Sequence, residues 1–315
     1  MTDKTKSIVK NIIKFALVLL LVYFIGKKIS EHWSEIVAYE WTIDYPMLLL
    51  SILLHVITFM AFSKVWCYLI SGFGYNVPLK YGFKLAYIGT LGRYLPGKVW
   101  SIFGMAYLAK KLGIKEEESI SSWIIVIIFS LPTAFLISFV TLMVYPSLMT
   151  EQLRESLGAT FYYLSAFTLI GSLILIIVPN KAFGIFNVVL KKIGRHEINF
   201  KITPFTALKI YIGYTISWLL FGISFYYFLQ AITVEPTIPF FAAAGAYVFA
   251  YQIGFVAIFS PGGVGIREFA MLTILEPYFG SISVGIAVAA RLWNIVVELL
   301  SAVVALWIKL PKNNE

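Results

Sequence analysis

The chain has 315 residues, of which 60% are hydrophobic and 13% charged, with a mean hydropathy of +0.85. A water-soluble fold cannot hide that much apolar surface, so an ordinary soluble domain is excluded. The net charge of +9 would suit nucleic acid only if the basic residues formed a stripe, and they are scattered over short segments between apolar runs.

Taken in chain order, runs of the ~20 residues needed to cross a ~30 Å hydrocarbon core lie at about 8–26, 45–70, 119–145, 159–178, 205–230 and 281–308. Lys4 and Lys6 precede the first run and Lys10 and Lys14 lie in its opening turns, as in a signal peptide, but Gly26-Lys27-Lys28-Ile29 offers no small-residue cleavage site, which predicts a retained helix. The second run carries His55, read as a hydrogen-bonded packing residue rather than a proton relay, and Lys64, read as snorkelling. It also holds Cys67, the single cysteine, so no intrachain disulfide forms. Segments 81–109 and 238–276 are apolar but interrupted by Pro and Gly. Between them, 181–193 sets Phe183, Ile185, Phe186, Val189 and Leu190 among Lys181, Lys191 and Lys192, a pattern for an interfacial helix or an ordinary loop helix. Trp33, Trp41 and Trp307 suit interfacial belts, and the remaining Tyr and Trp are mostly read the same way.

Charge sorts the loops. With the N-terminus in the cytoplasm, and with 81–109 and 238–276 each dipping into the bilayer and returning, one side receives Lys80, Lys84, Lys110, Lys111, Lys115, Lys181, Lys191, Lys192, Arg195, Lys201, Lys309 and Lys312. The other keeps Lys27, Lys28 and Arg154 beside Glu31, Glu35, Glu40, Asp44, Glu151, Glu155, Glu235 and Glu276. That is the positive-inside pattern, with both termini cytoplasmic in a plasma-membrane protein. A full crossing at 81–109 would reverse the basic 181–201 loop and spoil it.

The two interrupted segments share G-x6-P-G-x-V, at Gly89, Pro96, Gly97, Val99 and at Gly254, Pro261, Gly262, Val264, 165 residues apart. The same offset lays 45–70 over 210–235 and 119–145 over 284–310. Each half, 1–157 and 158–315, then holds three full spans and one hairpin, and an odd number of crossings inverts the second half. The predicted fold is an all-α integral membrane protein with about six full transmembrane helices and two re-entrant hairpins in an inverted repeat, an architecture that holds substrate at the repeat interface.

Charges inside a bilayer cost at least ~2.5–3.5 kcal/mol each on insertion scales, so they are paired, solvated or functional. Arg93 and Lys98 flank Pro96-Gly97 at the first tip; Arg267 and Glu268 follow Pro261, Gly262, Gly263 and Gly265 at the second. In the last span Arg291, Asn294 and Glu298 share one helical face. Four cations, Arg93, Lys98, Arg267 and Arg291, face two anions, Glu268 and Glu298. A phosphate is the natural counter-charge, because Arg offers paired donors and the glycines admit close backbone approach. The competing reading has Arg291–Glu268 and Arg267–Glu298 pairs locking the halves together while Arg93 and Lys98 snorkel. No nucleophile elbow, Walker loop or Cys/His cluster is present, so neither catalysis, cofactor nor metal is expected.

At Leu95-Pro96-Gly97 and above all at Pro261-Gly262-Gly263-Val264-Gly265-Ile266-Arg267-Glu268, the chain resembles the lysylphosphatidylglycerol synthase transmembrane-region family, a flippase-like family, over nearly its whole length. The resemblance implies a role in moving a lipid across the bilayer, with the re-entrant site on Pro96, Gly97, Pro261, Gly262, Gly263, Gly265, Arg267 and Glu268. Because the chain stops at Glu315, soon after the last span, the family's aminoacyl-transferase activity is not expected here. Archaeal relatives tied to polyprenyl-phosphate glycan assembly leave the lipid open between phospholipid and polyprenyl phosphate. The expected function is a flippase-like transporter of an anionic, phosphate-bearing lipid in a cationic midplane cavity. The alternatives are an intramembrane transferase using Glu268 or Glu298, and a non-catalytic membrane partner of a lipid-synthesising or glycan-assembly enzyme. No nucleic-acid partner is expected, and a homo-oligomer is compatible with the sequence.

Overall fold

In a computed structural model, residues 23, 26, 27, 30–91, 100–192, 200–234, 238–257 and 260–311 are described, and the regular structure among them is helical. Helix α1 (Trp33–Ala38) leads into α2 (Tyr45–Ser71), α3 (Leu79–Thr90), α4 (Trp100–Lys110), α5 (Glu116–Val144), α6 (Glu151–Ile177) and α7 (Pro179–Lys192). Then come α8 (Pro204–Ile232), α9 (Phe240–Val256), α10 (Ile266–Phe279) and α11 (Ser283–Trp307). The helix starts obey simple chemistry. Asp44 accepts from Met47 N at 3.0 Å and Thr203 accepts from Thr206 N at 3.2 Å, each with a Pro in the first turn.

Among the described residues five stretches are long and apolar enough to cross a membrane: Tyr45–Ser71, Glu116–Val144, Gly158–Ile177, Pro204–Ile232 and Ile266–Trp307. They match the expected spans from 45 onward, except that the last also takes in α10. The expected 8–26 span lies almost wholly outside the described residues. With 12 and 11 residues, α3 and α4 are only ~16–18 Å long, too short to cross ~30 Å alone.

Contacts between connecting segments sort them into two ends. At one, the rings of Phe73 and Phe200 stack at 4.4 Å, Lys115 N donates to the Tyr75 hydroxyl at 3.3 Å, and the Asn180 amide exchanges two hydrogen bonds with the Ile202 backbone. Lys84 Nζ reaches the Ala305 carbonyl there at 3.0 Å. At the other end Asp44 N donates to Ala231 O at 2.9 Å, and the Ser147 and Tyr278 hydroxyls meet at 2.6 Å. There the Ser281 hydroxyl and then His32 hold the Glu35 carboxyl below the usual carboxylate range, which moors α1 beside residues 280–282. The first end is the lysine-rich one, although Glu116, Glu117 and Glu118 share it. They occupy the first turn of α5, where the helix dipole favours them, and Glu118 accepts from Tyr75.

α9 lies at the centre, packed on α8, α5 and α10, and nearly every residue from Ala242 to Ala250 is buried. Small residues permit this. A Cβ on Gly222 of α8 would lie 2.4 Å from Ala244 O of α9, and one on Gly245 would lie 2.0 Å from Thr141 Oγ1 of α5. The helix contacts also pair off. α2 and α8 pack on each other; α3 packs on α2, α4 and α11, as α9 packs on α8, α10 and α5. Gly89 sits where α3 crosses α4 at Met105, and Gly254 sits where α9 crosses the start of α10 at Arg267.

The α8–α9 contact is testable. Gly222→Ala is expected to destabilise the protein by ~1–3 kcal/mol through overpacking. Gly171→Ala on α6, with nothing within 4 Å of the added Cβ, should be neutral or slightly stabilising through helix propensity. Melting curves of the two variants in the same detergent compare them; equal melting temperatures would refute the close packing.

Candidate functional site

The strongest concentration of buried polar groups begins where α9 stops and the chain turns into α10. Gly262, Gly263 and Gly265 all have positive φ, at 60°, 74° and 84°. L side chains rarely adopt such angles, so these three places select glycine in the P-G-G-x-G run. Gly263 has a second reason, because a Cβ there would lie 2.9 Å from Gly254 O. Pro261 opens the single turn 261–263, and Ser260 Oγ donates to Val264 O at 2.7 Å. Gly265 N donates to Glu268 Oε2 at 2.6 Å, so the third residue of α10 reaches back to cap its own helix. Glycine has no side chain to return the bond, so only that half of a capping box exists.

Glu268 does a second job with its other oxygen. Oε1 pairs with Arg291 Nε of α11 at 3.3 Å, and both side chains are about nine-tenths buried. Asn294 Nδ2 donates to Glu298 Oε1 at 2.6 Å, and the Tyr247 hydroxyl lies 3.5 Å from Asn294 Oδ1. Arg291, Asn294 and Glu298 thus line one face of α11, as their spacing predicts. Counting ~1.5 Å per residue back from the ends of α10 and α11 puts Glu268 and Arg291 ~12–17 Å below that end of the bundle, near the middle of a ~30 Å core.

Arg267 departs from the pairing that the competing reading gave it. It is 7% exposed, and its guanidinium lies over the Tyr251 ring, 3.9 Å from the centroid. Its Nε and Nη1 have no hydrogen-bond partner among the described residues, and no ion pair with Glu298 forms there. The expected Arg291–Glu268 pair is therefore present, whereas the Arg267–Glu298 pair is replaced by a cation–π contact. A buried guanidinium with unmet donors is costly, and a desolvated cation–π contact of ~2 kcal/mol offsets only part of that.

Between Tyr247, Arg267, Glu268 and Arg291 the described residues leave a cavity of about 10 Å³, room for about one water. Arg93, Pro96, Gly97 and Lys98 lie outside the described residues. The described groups, two arginines and two glutamates, sum to zero, so the expected excess of two positive charges rests on Arg93 and Lys98.

Sequence reading missed Tyr247 and Tyr251. Both belong to the deep site rather than to an interfacial belt, and their i, i+4 spacing on α9 was the available signal. They belong to a buried aromatic cluster with Phe225, stacked on Tyr247 at 4.3 Å, and Trp293. His55 packs edge-on against Phe59, Phe221 and Trp293 in the same cluster, in keeping with a packing role.

The family described as the lysylphosphatidylglycerol synthase TM region matches residues 11–305, and the chain belongs to that family. It is accordingly a multi-pass membrane protein with a role in lipid handling. No curated protein is significantly similar to it.

Glu268→Gln should cost ~3–5 kcal/mol, because it leaves Arg291 buried without its counter-charge, whereas Glu268→Gln with Arg291→Met should cost less than the single change. Unfolding in detergent measures the cycle, and additive effects would show that the pair is not coupled.

Proposed function

We propose that the protein is a flippase-like transporter in which the tip of the α9–α10 hairpin takes the phosphate of an anionic lipid headgroup while the tails stay in the bilayer. One observation carries this reading: Arg267 is buried at the N-terminus of α10 with donors unmet among the described residues, beside the Arg291–Glu268 ion pair. A phosphate would accept from the guanidinium and from the helix N-terminus together. Gly262, Gly263 and Gly265 would let backbone approach it, while Glu268 and the Asn294–Glu298 bond hold the surrounding helices. Arg93, Lys98, Pro96 and Gly97 would form the matching tip in the other half.

On this reading segments 81–109 and 238–276 are re-entrant hairpins, and halves 1–157 and 158–315 are inverted repeats. Three features support it. α3 and α4 are too short to cross, each hairpin begins and ends at one end of the bundle, and the helix contacts persist when the halves are exchanged. The lysine-rich end would face the cytoplasm of a plasma-membrane protein, with both termini on that side. A headgroup is larger than the about 10 Å³ left between Tyr247, Arg267, Glu268 and Arg291, so on this reading α10 and α11 would move apart during transport, and a partner enzyme that makes or consumes the lipid would work beside it.

Reconstituted protein should move labelled phosphatidylglycerol between leaflets, and Arg267→Gln, checked for unchanged size-exclusion behaviour, should reduce the rate at least tenfold, since a charge-assisted pair is worth ~1.5–3 kcal/mol. Equal rates for wild type and variant would rule the mechanism out. A chemically altered lipid would point instead to the transferase reading.

A further inference from the structure

A lysine-lined cleft lies away from the α9–α10 hairpin tip. At the lysine-rich end an open cleft of about 620 Å³ runs between α3, α4 and the end of α11, with Lys84, Lys111 and Lys309 on its wall beside Ile88, Leu108 and Leu306. Among the described residues no carboxylate lines it, so their wall carries three positive charges and is otherwise apolar. Lys84 is fixed, since Nζ donates to the Ala305 and Leu306 carbonyls at 3.0 and 3.3 Å, neutralising the negative end of the α11 dipole. An ammonium has three donors, so one remains. Lys111 lies over the Tyr107 ring at 4.9 Å, which keeps its charge near the cleft.

We infer that this cleft binds a phosphate-bearing membrane lipid from the adjoining leaflet, its headgroup on Lys84, Lys111 and Lys309 and the start of an acyl chain along Ile88, Leu108 and Leu306. Basic pockets at helix ends attract anionic headgroups in this way. The apolar part of the wall selects a lipid over a soluble anion, because a free phosphate would leave those side chains wet. The site is separate from the hairpin tip, since Arg291 and Leu306 are 15 residues apart on α11, or ~22 Å, and it stands whether or not the tip carries lipid.

Native mass spectrometry of the full chain, purified from equimolar dioleoyl phosphatidylglycerol and dioleoyl phosphatidylcholine, tests it. Wild type should retain phosphatidylglycerol in preference to phosphatidylcholine. Lys111→Gln/Lys309→Gln, which leaves the Lys84 cap in place, should weaken that retention roughly 30-fold, whereas Arg267→Gln should leave this binding step intact. Three results would each overturn the inference: retention unchanged in the double variant, phosphatidylcholine held equally well by wild type, or displacement of the lipid by millimolar inorganic phosphate. Loss of this step in Arg267→Gln would merge it with the tip and overturn it too. Failure of transport in Arg267→Gln bears on the tip alone.

Discussion

Inside hydrocarbon a backbone polar group has no water to turn to, so a chain that stops being helical at that depth must be enclosed by protein. The break between α9 and α10 places this demand on the whole bundle. It is met by sinking α9 among α5, α8 and α10, which is possible only because Ala242, Ala243, Ala244, Gly245 and Ala246 leave room for neighbouring backbones to touch it. The turn then satisfies itself locally. Ser260 bonds Val264, Gly263 bonds Ser260, and Glu268 bonds Gly265. Packing and capping here are one requirement, since a Cβ on Gly254 would press on Arg267 and one on Gly263 would meet the Gly254 backbone.

Electrostatics follow from the same turn. Glu268 serves twice, as the acceptor for a helix-start N–H and as the partner of Arg291. The adjacent Arg267 makes no ion pair with it and lies instead over the Tyr251 ring. That cation lies where a helix N-terminus also favours an anion.

Much of this was legible in the sequence. Long apolar runs marked the spans from 45 onward, and the Pro-Gly interruption of 238–276 marked the place where α9 gives way to α10. The α11 face of Arg291, Asn294 and Glu298 needed only a period of 3.6. What escaped was which neighbour each group meets. Spacing put Arg267 and Glu298 at similar depth, but the partner of Arg267 is set by how α9 rotates against α10, a matter of packing. Tyr247 and Tyr251 escaped for a related reason, because composition says that tyrosine favours interfaces and says nothing of depth for a given residue. The first tip, with Arg93 and Lys98, lies outside the described residues.

If phosphate is the cargo, as proposed, the Arg267–Tyr251 contact sets how firmly the guanidinium is held before an anion reaches it. A guanidinium left bare in a buried site would carry a large desolvation cost, and one paired with a carboxylate would hold it too well to be displaced by another anion. A ring face worth ~2 kcal/mol is an intermediate resting place. A phosphate offering two charge-assisted hydrogen bonds, at ~1.5–3 kcal/mol each, outbids the ring by only a few kcal/mol. Exchange in either direction is then energetically shallow, which a transporter needs on both sides of the membrane and a structural ion pair does not provide.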